Sequence, residues 1–163
     1  MITCVSRVAR AAVRVHGEVV GAIEHGLLLL VGVERGDGPA DADATARKVA
    51  SLRLFPGRTP TDLAVGEVGG GCLVVSQFTL AAELRHGNRP DFTAAAPPAE
   101  AEALYERVAA ALAATGLPVA TGRFGAAMRI DAEHDGPFTV LLQVREGRVQ
   151  TRPALPPNGT SAT

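Results

Sequence analysis

Two hydroxyls are the groups in this chain best placed to do chemistry. Ser76 and Thr79 follow Cys72-Leu73-Val74-Val75, an apolar run short enough for a buried strand, so they fall at a strand mouth where sites tend to be built. As nucleophiles they need a nearby base, and the local sequence offers none. As structural groups they would hydrogen-bond neighbouring backbone, and residue types alone leave both readings open. Other chemistries are easier to exclude. His16, His25, His86 and His134 are scattered, with no His four residues on and no Cys pair, so no zinc-ligand pattern is present. Gly66, Gly69, Gly70 and Gly71 look like a phosphate loop only in composition. No Gly-Lys-Ser/Thr follows them and a strand comes next, so a hairpin-like turn accounts for them better. No Gly-x-Ser-x-Gly surrounds Ser76. Asp135-Gly136-Pro137 reads as a turn between two strands, while Phe124 and Met128 read as core residues. Neither a metal nor a cofactor is expected.

The elements that must position these residues follow from periodicity. Val13 and Val15 alternate with Arg14 and His16, the period-2 pattern of a half-buried strand. His16-Gly17-Glu18 then turns the chain into Val19–Ile23, and His25-Gly26 turns it again into Leu27–Val33, a run suited to a strand covered on both faces. Ala42, Ala46, Val49 and Leu52 predict a helix over about 40–54, with Asp41 and Asp43 near its positive end. Residues 56–71 read as loop with at most one short strand, and residues 81–97 as an irregular surface loop. Ala101, Leu104, Val108, Ala111, Leu112 and Thr115 predict a second helix over about 98–115, ended by Gly116 and Pro118. Three strands should close the domain: one before residue 128, one in which Met128, Ile130 and Ala132 alternate with charged residues, and one over Phe138–Val144. A turn at His134–Pro137 is expected between the last two. Strands dominate and two helices interrupt them, so the pattern is α+β with a largely antiparallel or mixed sheet.

Composition narrows the setting. The 163 residues carry 16 basic and 17 acidic side chains, a net charge of -1, with 47% hydrophobic and 20% charged residues. That suits one folded domain and excludes overall disorder. No apolar stretch approaches the ~18 residues of a membrane span, and Arg7 and Arg10 interrupt any signal-peptide pattern, so a cytoplasmic protein without a membrane partner is expected. Cys4 and Cys72 form no disulfide framework and read as small buried thiols. The charge balance argues against coating long nucleic acid but leaves room to grip the end of an RNA. Arginine is unusually favoured, with Lys48 the single lysine.

Against this background the chain resembles a known family. Ser76-Gln77-Phe78-Thr79-Leu80 and Asp135-Gly136-Pro137-Phe138-Thr139 look like the two signature motifs of the D-aminoacyl-tRNA deacylases, in that family's order and separation. Val13-x-Val15-x-Gly17-Glu18, Gly26-Leu27, Gly32-Val33, Arg89-Pro90-x-Phe92, Ala103-Leu104-Tyr105 and Thr121-Gly122-Arg123-Phe124 are similar as well. The resemblance covers about residues 1–144 and leaves 145–163 as a Pro-rich tail, expected to be mobile. His134 departs from the family, which usually has Asn there. The loop 55–65 lacks the Asp and Gly-Lys-Met-Asn pattern of many relatives.

The resemblance implies the barrel-like α+β fold of that family and a metal-free hydrolase. Its substrate is the ester joining a D-amino acid to the 3′ end of tRNA. It implies that Ser76, Gln77, Phe78 and Thr79 line the aminoacyl pocket, largely through backbone groups, with no covalent nucleophile. Phe124 and Met128 match positions that hold the terminal adenosine, and Ala96 falls where the family has a small pocket-supporting residue. A homodimer is implied, in which a cis Gly136-Pro137 turn reaches the partner's pocket and selects chirality. The expected partners are the aminoacylated 3′ end of tRNA and a second copy of the chain, with no DNA. A related editing enzyme of altered preference, or a binding module that has lost hydrolysis, would share the same motifs.

Overall fold

Val13 and Val15 lie near the end of one long strand, β1 (Ile2–Val15), which organises the molecule. A computed structural model describes residues 1–85 and 87–150, so His86 and residues 151–163, the greater part of the expected tail, lie outside the described residues. The first half of β1 pairs antiparallel with β3 (Gly26–Gly32) and its second half with β2 (Glu18–Ile23). On its other edge β1 pairs along nearly its whole length with β8 (Arg129–Arg145). Beyond β3 come β6 (Gly71–Ser76) and then β7 (Val119–Thr121), both parallel to β3. The sheet is therefore mixed, as the sequence pattern predicts. It is also strongly curled: a Cβ on Gly21 of β2 would lie 2.2 Å from the Thr121 carbonyl of β7, so only glycine allows these distant strands to touch.

Two helices cover one face. α1 (Pro39–Ser51) starts where the Gly38 N–H donates to the Asp41 carboxylate at 2.8 Å, with Pro39 fixing the first helical residue. It ends three residues earlier than predicted because Leu52 turns extended and Leu54 and Phe55 join the short strand β4 (Arg53–Phe55). β4 pairs with β5 (Leu63–Ala64), the one short strand expected in that loop. α2 (Pro98–Ala113) matches the second predicted helix closely. Leu27, Leu29, Val31 and Val74 point at the helices, with Val49, Leu104, Val108 and Leu112 opposite. Leu28, Leu73 and Val75 point into the curl with Val8, Ala11 and Val13. The continuous apolar runs of β3 and β6 thus reflect strands buried on both faces.

The closing strands differ from expectation. His134–Pro137 is no chain reversal: both sides of it pair with β1 within one strand, β8. Between the Ser6–Thr139 and Val8–His134 pairs, β8 advances five residues while β1 advances two, so the segment is a bulge. Turn-forming residues fit such a bulge, because Pro137 has no N–H to give to the ladder. The Gly136–Pro137 peptide is cis, and both residues are exposed. Beyond Val144 the chain makes a hairpin, with Glu146 and Gly147 at positive φ leading into β9 (Arg148–Val149). The Gly147 N–H donates to the buried Asp41 at 2.9 Å, which ties this hairpin to α1.

Candidate active site

The C-terminal ends of the three parallel strands converge, and a cavity of about 320 Å³ opens there. Its walls are Val31 at the end of β3 and Val33 just beyond it, Ser76 at the end of β6 with Gln77 and Phe78 following, Ala95 and Ala96, Tyr105 of α2, and Phe124-Gly125 after β7. The Gln77 N–H donates to the Val31 carbonyl at 2.8 Å, holding the segment to β3 as it leaves the sheet. A single 3-10 turn, Phe78–Ala81, follows. It rests directly on Gly32, where a Cβ would lie 2.9 Å from the Leu80 Cβ and 3.0 Å from the Gln77 carbonyl. Among the described residues, no backbone carbonyl accepts from the N–H of Phe78 or Thr79. Two donors at the start of this turn therefore remain open to a ligand.

The opposite wall is built by side chains. The Tyr105 hydroxyl donates to the Val74 carbonyl at 3.0 Å, and its ring lies 6.0 Å from that of Phe124. Burial pushes the phenol above its ordinary value, so it stays a neutral donor. The Ala96 N–H donates to the Val33 carbonyl at 3.0 Å, placing a methyl group where a larger side chain would fill the space. A smaller cavity of about 250 Å³ adjoins the first, shares Ser76, Gln77, Phe78 and Gly125 with it, and adds Met128 and Ile130.

Of the residues singled out from the sequence, Ser76, Gln77, Phe78, Ala96, Phe124 and Met128 therefore gather around these two connected spaces. Thr79 stands apart: it is exposed, lines neither cavity, and its hydroxyl is contacted by the Gln77 side-chain amide. Neither Ser76 nor Thr79 has a His or carboxylate hydrogen-bonded to its hydroxyl among the described residues. Gly136 and Pro137 also line neither cavity of their own chain. No cluster of three His, Cys, Asp or Glu able to hold a metal occurs among the described residues. Cys72 is buried near the start of β6, away from the cavity, and desolvation pushes its thiol up to about 12.

Three contributors were not singled out as site residues. Tyr105, the chain's single tyrosine, entered only as a landmark, though a lone Tyr on an apolar helix face signals a buried hydroxyl seeking a partner. Gly32 carries no signal beyond its type. Arg7 is 6% exposed and holds the β8 bulge. Its Nη1 donates to the Leu54 carbonyl at 2.7 Å and its Nε to the Asp135 carbonyl at 2.9 Å. Its guanidinium stacks 4.4 Å from the centre of the Phe138 ring. An Arg between Ser6 and Val8 in a buried strand was the available clue.

The curled mixed sheet, helices on one face and a largely apolar cavity with backbone donors at its mouth define an α+β protein with a ligand-sized pocket at the ends of its parallel strands. The model of the family described as D-Tyr-tRNA(Tyr) deacylase matches residues 4–143. A D-aminoacyl-tRNA deacylase of Ruegeria pomeroyi is 51% identical over 145 residues, covering 88% of this chain and all of that protein. One from Anaeromyxobacter dehalogenans is 53% identical over 146 residues, covering 89% of this chain and 98% of its own. Among solved structures, c-Myc DNA Unwinding Element Binding Protein matches with a TM-score of 0.83 and 35% identity, covering 89% of this chain and 99% of its own. A probable eukaryotic D-amino acid tRNA deacylase shares the fold with a TM-score of 0.71 at 16% identity. The chain belongs to the D-aminoacyl-tRNA deacylase family.

Proposed function

We propose that this protein hydrolyses the ester of D-aminoacyl-tRNA, releasing the free D-amino acid and tRNA. The observation that carries the reading is the family match across nearly the whole described chain, together with a cavity walled by Ser76-Gln77-Phe78. Water adds to the ester carbonyl, negative charge gathers on that oxygen, and the carbon–oxygen bond to the ribose breaks as the ribose oxygen takes a proton. The open N–H groups of Phe78 and Thr79 are the candidate donors to the oxyanion, each worth ~3–4 kcal/mol when well aimed. The family resemblance assigns assistance of the attacking water to the substrate's neighbouring ribose 2′-hydroxyl, a role that agrees with the lack, among the described residues, of a His or carboxylate bonded to either hydroxyl. Phe124 and Met128 hold the terminal adenosine, and Ala96 keeps the aminoacyl space open.

Chirality is read by the Gly136-Pro137 bulge, supplied by the partner in a homodimer. Support for this is geometric: the bulge is exposed, it lies outside its own chain's cavity, and exposed Leu141 follows on the same strand. A fixed backbone wedge rejects a misplaced side chain more strongly than the 1–3 kcal/mol a missing methylene provides. Among the described residues no helix is long and apolar enough to cross a membrane; with tRNA as substrate, the protein works in the cytoplasm and needs no DNA partner. The reading is tested by incubating purified protein with D-tyrosyl-tRNA and following release of D-tyrosine. Release far above the buffer rate supports it, and release at the buffer rate overturns it.

A further inference from the structure

The exposed face of the β1–β8 ladder carries alternating charge until its end. Arg10 faces Glu133 and Ala12 faces Asp131, but Arg14 directly faces Arg129. Arg10 pairs with Glu133 at 3.0 Å, and Arg14 reaches diagonally to Asp131 at 3.0 Å. Two carboxylates thus serve three guanidiniums, and among the described residues no carboxylate pairs with Arg129. Like charges directly opposite one another destabilise a sheet, and an anion between them removes that penalty. The two arginines wall a cleft of about 580 Å³, lined otherwise by His16, Gly17, Ala127 and Met128. Met128 also lines the smaller cavity beside Ser76 and Phe78, so the cationic cleft and the candidate active site share a wall.

We infer that the Arg14–Arg129 cleft binds phosphodiester groups of the substrate's single-stranded 3′ end, immediately upstream of the terminal adenosine. The inference rests on the deacylase reading. The planar fork of Arg suits phosphate oxygens, and a nearly neutral protein needs a local cationic patch to hold RNA. The cleft adds affinity for the nucleic acid without touching the ester. Arg129 is thus a substrate-binding residue with no part in the chemical step.

The test separates binding from hydrolysis. Binding of a fluorescent acceptor-stem minihelix ending in an unpaired, uncharged CCA is measured between about 50 and 200 mM salt, where each single-strand phosphate contact contributes a log–log slope of about 0.7. Arg129→Ala should weaken binding at low salt and flatten the slope by about one contact, which shrinks the affinity ratio across that range by about 2.6-fold. Arg129→Lys should recover most of the slope, because a point charge still pairs with phosphate. Hydrolysis of D-tyrosyl-adenosine, which lacks the upstream phosphates, should be the same in wild type and Arg129→Ala, whereas KM for D-tyrosyl-tRNA should rise. An unchanged slope in Arg129→Ala, or equal losses on the nucleoside ester and the tRNA, would overturn the cleft. Wild-type protein that binds the minihelix with the expected slope but hydrolyses neither ester would overturn the deacylase reading and leave the cleft standing.

Discussion

Replacing Arg7 by Met should cost the protein several kcal/mol, although Arg7 lies outside the candidate active-site cavity. The side chain makes two hydrogen bonds to carbonyls, at 2.7 Å to Leu54 and 2.9 Å to Asp135. Hydrogen bonds involving a charged group are worth about 1.5–3 kcal/mol each. The further ion pair with the Asp135 carboxylate at 2.9 Å adds little, because that carboxylate is 50% exposed. Met fills much of the same volume and keeps contact with Phe55 and Phe138, but it leaves both carbonyls without this donor. The net loss is about 3–5 kcal/mol. Urea unfolding at fixed protein concentration measures it: with a slope near 2 kcal/mol/M, the midpoint should fall by roughly 2 M. Arg10→Met is the control, since its pair with Glu133 is exposed on both sides and its loss should cost under about 1 kcal/mol. In a still-folded Arg7→Met protein the unanchored bulge should also lower D-tyrosyl-tRNA hydrolysis. If Arg7→Met costs no more than Arg10→Met, the anchoring role of Arg7 is wrong.

Thr79→Ala should keep most of the deacylase activity, since alanine retains the backbone N–H and the lost hydroxyl has no base bonded to it among the described residues; rapid quench followed by mass spectrometry should find no aminoacyl ester on Ser76 or Thr79, and trapping one would reverse this view. A tRNA whose terminal ribose lacks its 2′-hydroxyl should be deacylated slowly, and full-speed turnover of that substrate would remove its assigned role. Mixing equal amounts of a subunit with a remodelled Gly136-Pro137 bulge and one with Ala96→Phe should restore about a quarter of wild-type activity, because half of the dimers are mixed and each holds one complete site. No recovery after subunit exchange would contradict a shared site. Cys72 titrates at about 12 when folded, against 9.0 for an ordinary thiol. The unfolded chain can therefore ionise first, so its stabilising contribution is complete below pH 9.0 and declines between there and about 12. Cys72→Ser should weaken that alkaline loss in unfolding titrations.

Much of the fold was legible because its signals are local. The alternation around Val13, the doubly buried runs of β3 and β6, and the stripe from Ala101 to Leu112 each follow from side-chain period. Helix α1 was placed by the spacing of Ala42, Ala46 and Val49 with Asp41 near its positive end, whereas its far end was overestimated because Leu54 is claimed by a short strand rather than by the apolar stripe. The bulge was misread as a turn for a related reason. Asp135-Gly136-Pro137 has turn chemistry, and only the pairing of both flanks with β1 reveals that the chain continues. At the site, Ser76, Gln77 and Phe78 were visible as residues leaving a buried strand, and Phe124 and Met128 only through family resemblance. Tyr105 and Arg7 act through carbonyls of Val74, Leu54 and Asp135, distant in sequence, and no local pattern announces such partners. The opposition of Arg14 and Arg129 is likewise a matter of register between strands more than a hundred residues apart.

The most direct test of the account is the ratio of initial deacylation rates on one tRNA charged with D-tyrosine and with L-tyrosine, measured at matched concentrations with the same enzyme. A D-selective pocket predicts rapid loss of the D-ester while the L-ester decays at the buffer rate. Equal rates on the two esters, or preference for the L-ester, would contradict it.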